Sequence, residues 1–141
     1  MKKLLFVLVL TTICLSGCSI KQNIEPAELT NDTQLCIIEN KAVREGFLTE
    51  LTKVLDEKGI RYIVVDQGYA NSNCEWTVNY TANWEWDLTL YMSYAAINVY
   101  RNGRLDGSAV YDSRSGGANL SKFIDAEPKI KELVEQLMQK G

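Results

Sequence analysis

The sequence predicts an α+β domain: an antiparallel sheet of about five strands with two helices on one face, in the order β-α-β-β-β-β-α. Three observations carry this expectation. Residues 74–83 alternate apolar and polar side chains without a break, the mark of a strand that is wet on one side. Asn102-Gly103 separates two extended segments and signals a tight hairpin. Two amphipathic stretches, one near each end of the domain, repeat apolar residues at three- and four-residue spacing.

The first element is the short apolar run Leu35-Cys36-Ile37-Ile38, which suits a buried strand. Asn40 then offers an N-cap for a helix whose apolar face is Val43, Phe47, Leu51 and Val54 or Leu55. Gly59 is placed to end it in a left-handed conformation. Gly46 inside it costs about 1 kcal/mol relative to alanine, which a close packing contact would explain. Ile60 to Val65 reads as the second strand, and Gln67 to Asn73 as a polar turn region.

The alternating strand follows. Cys74, Trp76, Val78, Tyr80 and Ala82 point one way, and Glu75, Thr77, Asn79, Thr81 and Asn83 the other. Leu88 to Arg101 is a long strand whose alternation fails near Tyr91 to Ala96, as a bulge or burial on both faces would require. Arg104 to Asp112 pairs back through the hairpin, with Tyr100 facing Leu105 and Ala96 facing Ala109. Ser113 to Gly117 is a glycine-rich turn. The last helix shows Ile130, Leu133, Val134, Leu137 and Met138 on one face, and Asp125 as N-cap leaves Pro128 in the first turn, where its missing N–H costs little.

Upstream of the domain, Lys2 and Lys3 precede an apolar run from Leu4 to Ile13, closed by Leu15-Ser16-Gly17-Cys18. The run is too short to span a bilayer and reads as a secretory signal. Its ending resembles the lipobox of bacterial lipoproteins. That resemblance implies cleavage after residue 17, acylation of Cys18 (palmitate among the chains) and attachment to a membrane through the N-terminal lipid. Ser19 in place of an aspartate implies the outer membrane, with the domain in the periplasm. The expected organisation is residues 1–17 as signal, 18–33 as lipidated cysteine and flexible tether, and 34–141 as a single domain.

Composition narrows the function. Without Lys2 and Lys3 the 15 basic residues fall to 13, against 18 acidic ones, a net −5 that argues against a nucleic-acid partner. The chain has no histidine, which excludes His-dependent triads and His-containing metal sites. Cys36 and Cys74 are the even pair left after the signal and the lipid site, and an oxidising compartment favours one disulfide over two buried thiols. Two isolated cysteines do not make a metal site, and no cofactor motif is present.

Aromatic residues concentrate in two strands. Trp76 and Tyr80 belong to the core face, whereas Trp84, Trp86 and Tyr91 are candidates for a binding surface toward an envelope protein or a glycan. The polar row Thr77, Asn79, Thr81 and Asn83 reads as wetted surface. Glu75, Glu85, Asp87, Asp66 and Asp106 could in principle supply a glycosidase-like acid pair, but nothing in their spacing fixes two of them together. The Val99-Tyr100 strand, the Gly107-Ser108-Ala109 return strand and the terminal helix resemble DUF4136-type lipoproteins of unknown function.

The expected function is therefore a non-enzymatic, lipid-anchored envelope protein that binds a partner through its aromatic-rich sheet. An inhibitor or immunity protein against an envelope-targeted toxin or lysozyme is the alternative, since small acidic inhibitors steer toward basic enzymes. The doubly apolar strand fits burial and a homo-oligomer equally.

Overall fold

The computed structural model describes residues 19–69 and 73–139. The signal segment 1–17 and the lipidation residue Cys18 lie outside the described residues. In chain order the elements are β1 (Lys21–Glu25), β2 (Gln34–Ile38), α1 (Glu45–Glu57), β3 (Arg61–Val65), β4 (Trp76–Asp87), β5 (Thr89–Arg101), β6 (Arg104–Asp112), a 3-10 turn (Leu120–Lys122) and α2 (Ala126–Leu137). The fold is α+β, with six strands in one sheet ordered β1-β6-β5-β4-β2-β3.

The sheet is mixed rather than wholly antiparallel. β4, β5, β6 and β1 pair antiparallel, but β2 runs parallel to both β3 and β4. The cause is the crossover: α1 carries the chain back across the sheet, so β3 must start at the same end as β2. Burial agrees, because Leu35, Cys36 and Ile37 are consecutive and all buried, the pattern of a strand covered on both faces.

The expected tether is mostly structured. Lys21–Glu25 forms an edge strand paired residue by residue with β6, from Lys21 opposite Asp112 to Glu25 opposite Ser108. Ala27 and Leu29 are core residues, and the Ala27 N–H donates to the Leu137 carbonyl at the end of α2 (2.9 Å). The ordered domain therefore begins near Lys21, not Gln34. The segment was hidden in sequence because an edge strand with one half-buried residue, Ile24, shows no alternation.

Both helices cover one face. α1 buries Phe47, Leu51, Val54 and Leu55, with Phe47 stacked on Tyr80 of β4 at 5.2 Å between ring centres. α2 buries Ile130, Leu133, Val134 and Leu137 against β1, β5, β6 and α1. Gly59 closes α1 at φ +63°, as expected. The N-cap is Arg44 rather than Asn40. Asn40 works earlier: its side chain accepts from the Ala42 N–H (3.1 Å) and donates to the Tyr80 carbonyl (3.0 Å), pinning the β2–α1 connection to β4. Gly46 is exposed with open space around it, so no packing contact offsets its helix cost.

Two bulges set the long ribbon. Ser93 is unpaired between Asn83–Tyr94 and Trp84–Met92, which turns Met92 into the core and sends Tyr91 to the opposite face. Asp106 is unpaired between Tyr100–Leu105 and Val99–Gly107. This second bulge corrects the expected register: Tyr100 does face Leu105, but Ala109 faces Ile97 instead of Ala96. It also aims the Asp106 carboxylate at the Glu28 N–H (2.8 Å) and lays Gly107 against the backbone of Ala27. The hairpin turn is as read, with Asn102 at φ +49° and Gly103 at φ +77°.

Candidate functional site

The alternation of β4 decides which aromatics are available. Trp76, Val78, Tyr80 and Ala82 are buried beneath the helices, while Asn79, Thr81 and Asn83 are exposed on the uncovered face. Cys74 precedes the strand and is free of its alternation. It forms the disulfide with Cys36 of β2, Cα atoms 6.1 Å apart. The bond ties the entrance of β4 to its parallel neighbour on the face away from the helices.

The three candidate aromatics separate. Trp84 is half-buried at the core margin, with the Arg44 guanidinium 5.4 Å from its ring. Trp86 is 76% exposed. Tyr91, expected at the surface, is buried at 5% exposure: the Ser93 bulge swings it to the face opposite the helices, where Phe123 packs edge-on at 5.2 Å. Its hydroxyl donates to Glu85 (3.1 Å), and burial, then that hydrogen bond, pushes the phenol above its usual range. Tyr91 is thus a structural element of the ribbon, not part of a binding surface.

Lys122 locks the 3-10 turn onto the same ribbon. Its ammonium donates to Asp87 (2.6 Å) and to the Gly117 carbonyl (2.7 Å), and lies 5.5 Å and 5.1 Å from the rings of Tyr91 and Phe123. The hydrogen bond it donates to Asp87 raises its pKa, so it stays charged although its side chain is only 8% exposed. Ser113 closes the other side, its N–H and hydroxyl both donating to the Ser93 carbonyl (2.8 and 3.1 Å).

The carboxylates raised by the sequence are engaged one by one. Glu75 pairs with Arg101, Glu85 accepts from Tyr91, Asp87 holds Lys122, Asp66 pairs with Lys41, and Asp106 accepts from Glu28. Among the described residues no group of three His, Cys, Asp or Glu is placed to hold a metal ion. An open groove of about 560 Å³ lies where α1 begins beside β2 and β3, lined by Asn40, Leu48, Thr52, Tyr62, Val64 and Tyr80 among others.

Apart from Tyr69 and Leu105, the exposed large apolar side chains of the described residues fall in two places. The first is the apex of the β4–β5 ribbon. Trp86 and Leu90 are a cross-strand pair, Leu88 turns the chain at 85% exposure, and Leu120 of the neighbouring turn is 74% exposed. Leu88 does this at φ +61°, a conformation that costs a branched residue on the order of 1–3 kcal/mol. The second is the edge strand β3, whose Ile63 and Val64 are 38% and 44% exposed, on opposite faces. Sequence reasoning missed this edge, because Ile60 to Val65 resembled any buried strand until the sheet order placed it last.

No family model matches the chain, and no curated protein matches it. Among solved structures the fold is similar to PelC from Paraburkholderia phytofirmans. The PelC dodecamer in space group P6 is 14% identical, over 86% of this chain and 99% of that one, with a TM-score of 0.56. A leucine-to-methionine variant of PelC, also a dodecamer and in space group C2, is 14% identical over 86% and 98%, with a TM-score of 0.57. At this identity the likeness establishes a shared fold.

Proposed function

We propose that this chain is a non-enzymatic, lipid-anchored envelope protein, held at the outer membrane through Cys18 with its domain in the periplasm, and that it works as a subunit of an assembly of its own copies. The observation that carries the assembly is the β3 edge. A sheet edge offers unpaired N–H and C=O groups to another strand, and proteins ordinarily protect it with charge, proline or a covering element. Here the edge shows Ile63 and Val64, while the opposite edge, β1, carries Lys21, Gln22, Asn23 and Glu25. Two unlike edges support head-to-tail contact, which closes into a ring when the rotation allows. The shared fold with a protein that forms a dodecamer supports the same reading.

The anchor rests on the lipobox resemblance, and the oxidised Cys36–Cys74 pair fits an exported domain. No helix among the described residues is long and apolar enough to cross a membrane. Several acyl chains make such an anchor stable where one is marginal.

A photo-reactive amino acid at Val64, activated in intact cells, tests the assembly. Adducts that run as multiples of this chain are expected. Uncrosslinked monomer, or adducts only with other proteins, would reject self-assembly through this edge.

A further inference from the structure

We infer that the apex of the β4–β5 ribbon dips into the bilayer that holds the lipid, with Trp86, Leu88, Leu90 and Leu120 as its contact residues. The inference rests on the lipid-anchor reading and adds a second, protein-borne membrane contact to it. Position is the first argument. Lys21 lies opposite Asp112, Asp112 opposite Tyr94, and Tyr94 opposite Asn83, so the start of β1 is level with the middle of the ribbon. From that level β4 runs on from Asn83 to Leu88, a projection of about 17 Å at roughly 3.3 Å per residue. Lys21 is the third residue after Cys18, a reach of at most about 10 Å. A ribbon longer than the leash cannot stand clear of the surface into which the leash is tied, unless the whole domain lies over.

Chemistry is the second argument. The projecting end carries the exposed Trp86 with the exposed Leu88 and Leu90, and Leu120 is exposed on the neighbouring 3-10 turn. Tryptophan favours the membrane–water boundary, and leucine the region just inside it. The turn itself is unusual: glycine or asparagine would adopt the φ of Leu88 at little cost, yet a leucine is held there, 85% exposed. The nearby carboxylates already have partners on the ribbon, Asp87 in Lys122 and Glu85 in Tyr91. The chain's net negative charge selects neutral lipid as the surface it meets.

The test uses full-length protein extracted from cells and reconstituted in phosphatidylcholine vesicles containing lipid brominated on its acyl chains. Bromine quenches only tryptophan that reaches the bilayer. The expected result is a quenched part of the emission that is lost in Trp86→Phe, a change at an exposed site that leaves the core intact. The mass of the extracted chain reads acylation of Cys18 separately. Acylated protein whose emission is unquenched, or is quenched equally in W86F, would overturn the inference and leave the anchor standing. Unacylated protein that still shows Trp86-dependent quenching would uphold the apex and reject the anchor. Trp86 shielded from both the brominated lipid and aqueous acrylamide would mean that a second copy covers the apex, which also overturns the inference.

Discussion

Replacing Gly107 with alanine tests whether the segment after the lipidation site is part of the fold. A Cβ at Gly107 would stand 2.6 Å from the Ala27 backbone nitrogen and 2.7 Å from its Cα. Backbone cannot rotate out of the way, so the segment around Ala27 would have to retreat by most of an ångström. Overpacking of this kind costs about 1–3 kcal/mol. The retreat also stretches the 2.9 Å hydrogen bond from Ala27 to Leu137, worth about 1 kcal/mol when lost. The expected loss is about 2–4 kcal/mol. Urea unfolding followed by tryptophan emission reads it: with a slope of roughly 1–3 kcal/mol per molar, the midpoint should fall by about 1–2 M. Gly46→Ala is the matched control, the same added methyl in a helix with open space around it, and should gain about 0.4–1 kcal/mol. An unchanged midpoint for G107A would refute the packing of residues 21–29 on the domain and restore the flexible tether.

Other expectations follow from the same geometry. The double variant Cys36→Ala, Cys74→Ala should lose about 4 kcal/mol by the chain-entropy relation for a separation of 38 residues, and reduction of the native protein should shift the urea midpoint equally. Leu88→Asn should raise stability by about 1 kcal/mol, because asparagine accepts the left-handed backbone at φ +61°; a fall on thermal or urea unfolding would contradict the strain assigned there. Asp112 is held below the usual carboxylate range, first by its side-chain hydrogen bonds from Arg114 at 2.9 and 2.7 Å. A depressed carboxyl stabilises the fold above its unfolded pKa of about 4 and loses that contribution as pH falls through its folded value. Arg114→Gln should therefore be less stable than the native chain at neutral pH, with the gap closing on acidification; a gap independent of pH would reject the coupling.

Most of the fold was legible in the sequence because most of it is periodic. The alternation of Trp76 to Asn83, the Asn102-Gly103 turn and the helix stripes ending at Leu55 and Leu137 all appear where their patterns place them. What failed was information carried by neighbours rather than by the strand itself. β1 has no pattern of its own and exists because β6 offers an edge. The Asp106 bulge moves the register by one residue, and nothing around it but a glycine announces the change. The parallel pairing of β2 and β3 was implicit in strand-helix-strand order, but the clear antiparallel hairpin drew the whole sheet with it.

The site was read less well. Trp84, Trp86 and Tyr91 are close in sequence, but one extra residue at Ser93 sends Tyr91 to the far face under Phe123. Of the three, only Trp86 stands mostly in solvent. Leu88 and Leu90, which complete the exposed apex, looked like ordinary strand residues until the turn between Asp87 and Thr89 set them at its end.

The most direct test of an anchored, self-assembling subunit is native mass spectrometry of the protein extracted from membranes in mild detergent. The account predicts chains that begin at Cys18, carry acyl groups there and fly as particles of several copies. An unacylated monomer that retains residues 1–17 would contradict it.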